Sequence, residues 1–198
     1  MSKRFNDESY LIDWRDAGAY PEIHNDICTL ILNNSNGRFL DLGCCTGLIG
    51  QRLLSSGLYA FGIEGSRRNI GTGKMYGIKL EMVQLSITTV QHIDLIFDHC
   101  QLRGINSIVA RRVFVELFSH NLAMMRYFAM KAWVSGIEEI YIQGRQVTSQ
   151  SSNPLNCVEK ECTQLSDYYK VKLISGECAI MIKKTADEIN SIHQRADK

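Results

Sequence analysis

Arg38-Phe39-Leu40-Asp41-Leu42-Gly43-Cys44-Cys45-Thr46-Gly47-Leu48-Ile49-Gly50 decides the fold. An apolar strand tip, Phe39-Leu40, runs into Asp41 and a turn of small residues. A helix-like run follows from about Leu48 to Ser55, closed by Ser56-Gly57. Glycine has no Cβ and tolerates φ > 0, so the amides of such a turn approach a ligand closely, and the next helix N-terminus adds N–H donors. In outline the turn is a cradle for a nucleotide-type cofactor.

Outward from it, Leu58 to Ile63 forms a second apolar run that ends at Glu64-Gly65-Ser66. Ser66 is placed to cap a helix over Arg67 to Tyr76, although Gly71 and Gly73 weaken that helix. A third strand fits Lys79 to Leu85, and a fourth fits Ile93 to Phe97, stopping at Asp98-His99-Cys100. Residues 105 to 134 read as helical, with a break at Ser119-His120-Asn121 and an end at Gly136. Glu139 to Gln143 is a fifth strand and Pro154 to Lys170 a polar-faced helix. Val171 to Ile174 and Cys178 to Ile182 are strands joined by Ser175-Gly176-Glu177, short enough for a hairpin. Upstream, Ile23, Ile27, Leu30 and Ile31 follow Pro21 at helical spacing, and Asn33 to Gly37 reads as a stop.

Strands that alternate with helices must be parallel. The expectation is an α/β fold: an open, doubly wound, seven-stranded, mostly parallel sheet ending in an antiparallel hairpin. One domain is expected, with a helical cap over 1–37, a core over 38–183 and a polar, fraying tail over 184–198. Ligands in such sheets sit beyond the carboxyl ends of the strands.

The chain has 198 residues, 45% of them apolar, and a formal charge of +1, which disfavours non-specific nucleic-acid binding while leaving a local basic patch open. Lys3-Arg4, Arg67-Arg68 and Arg111-Arg112 are the basic pairs, and paired charges on helices usually face water. The cysteines number seven, contain no C-x-x-C pair and follow no signal-like apolar leader. Reduced thiols in a cytoplasmic protein without a membrane segment are the simplest reading. No His/Cys spacing supports a metal site.

Glu64 sharpens the cofactor reading. It ends the second strand, 21 residues after Gly43, where an acid in this architecture accepts the two hydroxyls of a ribose. With these residues in place, the stretch 38–183 resembles the class I S-adenosylmethionine-dependent methyltransferases. Asp41 to Gly47 is similar to that family's first motif, with Cys45 at the middle glycine. Phe61-Gly62-Ile63-Glu64 resembles the second motif, Asp94 to His99 the fourth-strand motif, and Lys172 to Lys183 the terminal hairpin. The absence of G-x-G-x-x-G disfavours NAD.

The resemblance implies S-adenosylmethionine as cofactor, held by Asp41, Gly43, Cys44, Cys45, Gly47, Glu64, Gly65, Ser86 and Asp98, with no metal. Asp41 would orient the turn or meet the methionine ammonium, and Ser86 would replace a missing adenine-binding acid. Asp98 and His99 stand as catalytic residues, His99 as the base, and Cys44 or Cys45 as nucleophiles are disfavoured. Without an Asn/Asp-Pro-Pro-aromatic motif, exocyclic base methylation is disfavoured too. The expected reaction is methyl transfer to an unidentified small or medium-sized acceptor. Its alternatives are a non-catalytic cofactor-binding or scaffold protein and a methyltransferase acting on RNA or DNA. Trp14, Arg15 and Tyr20 are candidates for a lid or for plain packing, and Val147 to Asn153 for a loop at the acceptor pocket.

Overall fold

Alternation in the central strands sets the layers of this protein. Leu40 and Leu42, Phe61 and Ile63, Ile108 and Ala110, and Ile140 and Ile142 enter one hydrophobic core. The residues between them, including Phe39, Ala60, Val109 and Tyr141, enter a second. Neighbouring side chains on a strand point to opposite faces, so strands buried throughout demand a layer on each side of the sheet.

The computed structural model describes residues 19–144, 155 and 157–196. Strands β1 (Arg38–Leu42), β2 (Tyr59–Glu64), β3 (Glu81–Gln84), β4 (Ser107–Arg111), β5 (Glu139–Gln143), β6 (Tyr169–Ser175) and β7 (Cys178–Lys183) form one sheet. Their order is β3-β2-β1-β4-β5-β7-β6. All neighbours are parallel except β5 with β7 and β7 with β6. The expected mostly parallel sheet with an antiparallel terminal hairpin is therefore the architecture observed. Among the described residues no helix is long and apolar enough to cross a membrane.

Helices α1 (Ala19–Asn34) and α2 (Leu48–Ser55) cover the Phe39 face through Ile27, Ile31, Ile49 and Leu53. Helices α4 (Val90–Leu102), α6 (Leu122–Val134) and α7 (Val158–Leu165) cover the other face through Ile96, Phe97, Met125, Phe128 and Leu165. Helix α3 (Arg67–Met75) starts as expected, with Ser66 Oγ accepting the Asn69 N–H at 3.2 Å. The short α5 (Phe114–Phe118) and α6 are separated at the expected break, where Asn121 Oδ1 accepts from Met124 N.

Three expectations are corrected. Ile93 to Phe97 is not a strand: Ile93, Ile96, Phe97 and Cys100 are buried at helical spacing along α4, and Thr89 caps its start. The fourth strand is instead Ser107–Arg111, the opening of the stretch read as helical. The region after Lys184 is not a fraying tail but α8 (Ala186–Ala196). Thr185 Oγ1 accepts from Glu188 N at 3.3 Å while Glu188 Oε2 accepts from Thr185 N at 2.8 Å, a reciprocal capping box that satisfies two backbone donors.

The two glycines of α3 have opposite surroundings. Nothing lies within 4 Å of a Cβ built at exposed Gly71, whereas one at buried Gly73 would overlap the carbonyl oxygen of Thr46. Gly71→Ala should raise stability by about 1 kcal/mol through helix propensity. At Gly73 overpacking of roughly 1–3 kcal/mol outweighs that gain. Urea midpoints for the two variants should move in opposite directions; equal gains would mean that α3 does not press on the turn at Thr46.

Candidate functional site

Leu42 lies beside Ile63 of β2 and Ala110 of β4, which brings three strand ends together at one edge of the sheet. The turn from Gly43 to Gly47 leaves β1 there. Gly43 and Gly47 have φ of 65° and 86°, and Cys45 takes a left-handed φ of 52°. Close approach also demands glycine: a Cβ at Gly43 would overlap Cγ2 of Val113, the residue two beyond β4.

Glu64 ties this turn to β2. One carboxylate oxygen accepts from Cys45 N at 2.8 Å; the other accepts from Ser66 N at 2.8 Å and Asn69 Nδ2 at 3.2 Å. A left-handed cysteine costs about 1–2 kcal/mol. A hydrogen bond to a charged acceptor contributes about 1.5–3 kcal/mol and so offsets it. Cys45 at the middle glycine position is thus accommodated by the same carboxylate that marks the second motif.

Asp41 is 2% exposed, and its Oδ2 accepts from Gly50 N at 2.8 Å, in the first turn of α2. Burial raises its pKa from 3.8 to about 7, with Glu64 pushing the same way and the Gly50 N–H and Arg111 opposing. The Gly50 contact ties the end of β1 to the start of α2. Cys44 is buried, its sulfur lies close to Gly62, and burial drives its thiol far up, so it is a packing residue with no thiolate character. Gly65 and Ser86 meet beside Glu64, where Ser86 Oγ donates to Gly65 O at 3.4 Å and Leu85 N to Glu64 O at 3.0 Å.

Asp98 and His99 are not at this edge. They lie near the end of α4, which starts after β3 and carries them about 12 Å along its axis, at 1.5 Å per residue. His99 packs against Phe61 with ring centroids 6.4 Å apart, and its Nδ1 meets Arg103 Nη1 at 3.1 Å. Arg103 in turn pairs with Glu81, the first residue of β3. The strand-end position that suggested catalytic and cofactor roles for the two residues is corrected to the amino-terminal side of the sheet.

The edge also holds the basic pair Arg111-Arg112, read from sequence as charges on a helix facing water and found at the end of β4. Arg111 ends β4 and its Nε donates to Gln143 Oε1 at 3.2 Å. Arg112, at φ 53°, donates through Nε to Gly144 O at 3.3 Å and through Nη2 to Glu177 Oε2 at 2.9 Å. Cys45 and Arg112 are the non-glycine residues with positive φ among those described, and they occupy neighbouring strand ends. Such strain is retained where the surroundings over-determine it, commonly at functional sites. The signal for β4 was the β-branched pair Ile108-Val109 between Gly104 and Arg111-Arg112. From α1, His24 is 6% exposed with its pKa lowered to about 3, by burial first and then by Arg111, Arg52 and Arg112. Burial therefore keeps this imidazole neutral at physiological pH. Trp14, Arg15, the Tyr20 side chain and Val147 to Asn153 lie outside the described residues.

The titration of Asp41 has a defined sign. Between its ordinary 3.8 and about 7 the native state holds a proton that the unfolded chain releases, so this group's contribution to stability falls as pH rises through that window. Asp41→Asn keeps an acceptor for Gly50 and removes the titration. Denaturant unfolding should show the wild-type stability, relative to the variant, declining across the window and levelling above about pH 8. A constant or rising difference would contradict this.

No family model matches the chain, and no curated protein does. Solved structures do. A TehB-like SAM-dependent methyltransferase from Corynebacterium glutamicum is similar at 14% identity and TM-score 0.59, over 90% of this chain and 98% of that one. A protein from Pyrococcus horikoshii is similar at 11% identity and TM-score 0.59, over 84% and 92%. Magnesium protoporphyrin IX methyltransferase from Synechocystis, solved with bound SAH, is similar at 9% identity and TM-score 0.54, over 83% of each chain. Strand order, terminal hairpin and these likenesses together establish that the chain has the class I S-adenosylmethionine-dependent methyltransferase fold.

Proposed function

We propose that this chain binds S-adenosylmethionine at the carboxyl edge of β1 and β2 and catalyses methyl transfer to a small or medium-sized acceptor. The observation that carries this reading is the Glu64 carboxylate at the end of β2, hydrogen-bonded to the Cys45 amide of the turn after β1. A carboxylate has two acceptor oxygens for the two hydroxyls of a ribose. Gly65 and Ser86 would flank the adenine. The backbone from Gly43 to Gly47 would line the methionine end, with Asp41 orienting that turn through Gly50.

The residues present fit the cofactor. The turn takes left-handed conformations at three positions and tolerates no Cβ at Gly43. Thr46 Oγ1 and Asn69 Oδ1, in the turn and beside Glu64, are buried atoms with no hydrogen-bond partner among the described residues. When bound, S-adenosylmethionine supplies a methyl group on a positively charged sulfur. The chain's own part is alignment, which for an in-line displacement is most of the task. Val113 packs on Gly43, so the segment after β4 joins the cofactor turn to the space an acceptor would use.

Isothermal calorimetry tests the reading. Wild type should bind S-adenosylmethionine and its demethylated product. Glu64→Gln should weaken both by about tenfold or more, the loss of a charge-assisted hydrogen bond, with an unchanged circular dichroism spectrum. Failure of wild type to bind either ligand, or equal affinity in the variant, removes the assigned site.

A further inference from the structure

Helix α3 opens on a cap that is only half reciprocal. Ser66 Oγ accepts from Asn69 N at 3.2 Å, and Asn69 is the third residue of the helix. In a full capping box a longer Glu or Gln at that position reaches back to accept from the serine amide. Here the Ser66 amide goes to Glu64 Oε1 at 2.8 Å, and Asn69 turns its Nδ2 to the same oxygen at 3.2 Å. Asn69 is 8% exposed, and its Oδ1 is buried with no hydrogen-bond partner among the described residues.

These bonds limit what Glu64 offers a ligand. A carboxylate has about four lone-pair positions, two on each oxygen. Ser66 N and Asn69 Nδ2 fill those of Oε1, and Cys45 N takes one of Oε2. No more than one position is left for a ribose that carries two hydroxyls. The two amide donors are fixed by the backbone, one at the start of α3 and one in the turn at φ 52°. Asn69 is the donor that a side-chain rotation could withdraw, and its bond is the longest of the three. Burial opposes that exchange. A hydroxyl would return to Glu64 what the loss of Asn69 removes, so the balance falls on the amide left behind. With Oδ1 already unpartnered, a released Nδ2 would leave both polar atoms of a buried side chain unpaired, which is the costly outcome. Being buried, Oδ1 does not accept the second hydroxyl itself.

We infer that Asn69 is a positioning residue that restricts Glu64 to a single hydroxyl of the ribose. The inference rests on the cofactor reading above and sharpens it. Since Oε1 is filled, the hydroxyl that is read meets Oε2, on the Cys45 side. Adenosine derivatives lacking the other hydroxyl are then accepted like the parent.

Calorimetry with S-adenosylhomocysteine and its 2′-deoxy and 3′-deoxy forms tests this. On wild type one deoxy form should bind within about twofold of the parent and the other about tenfold more weakly, the loss of one charge-assisted hydrogen bond. Asn69→Ala keeps the backbone donor to Ser66 and opens Oε1, so both deoxy forms should fall about tenfold below the parent. A tenfold loss with each deoxy form on wild type overturns the inference, because Glu64 then takes both hydroxyls. That comparison needs no variant. A merely structural role would lower the affinity of Asn69→Ala for the three ligands alike and leave their ratios as in wild type, which overturns the assignment to Asn69. Failure of the cofactor reading looks different: the parent does not bind, or neither hydroxyl matters, and the inference falls with it.

Discussion

The hydrogen bond from the Cys45 amide to the Glu64 carboxylate is the constraint on which the candidate site depends. It joins the turn after β1 to the end of β2. The other Glu64 oxygen accepts from Ser66 and Asn69 at the start of α3, so one carboxylate positions three segments. Its charge matters because the bond must hold a non-glycine residue at φ 52°. A charge-assisted bond is comparable with or larger than the left-handed penalty, so cysteine is tolerated where glycine would be easier. A ligand meeting this carboxylate would meet a group whose direction is already set.

Crowding beneath the turn does the rest. Cys44 sits over Gly62, and Gly73 of α3 approaches the Thr46 carbonyl closer than any Cβ allows. Asp41 is sealed against the first turn of α2 with its proton affinity raised by burial. Asp41 is therefore an internal latch, and Glu64 is the acid at the strand end beside the turn. The first is desolvated with one backbone donor, whereas Glu64 accepts from Cys45, Ser66 and Asn69.

Features that depend on short sequence windows were legible. Gly43, Gly47, Glu64, the Ser66 cap and the hairpin at Ser175 to Glu177 each rest on local geometry, and each occupies its expected element. The Ile93 to Phe97 run failed because five apolar-rich residues suit either period; burial at Ile93, Ile96, Phe97 and Cys100 shows the helical one. That slip moved the fourth strand onto a helix and took Asp98 and His99 with it. Thr185 to Glu188 carried a readable capping box, yet the polarity around it suggested a frayed end.

By itself, the sequence determined the layer pattern, the turn after β1, the acid at the end of β2 and the antiparallel finish, because periodicity and turn chemistry act between near neighbours. Only the tertiary structure decided which strand follows α4 and which distant groups meet at the ends of β4 and β5. Arg112 and Glu177 are 65 residues apart and meet because β5 pairs with β7 in the register that sets Gln143 beside Cys178. Asp26 reaches the same place because α1 packs across the Phe39 face of the sheet. Register and packing are set by the summed burial of the whole core, so no short window of sequence contains them.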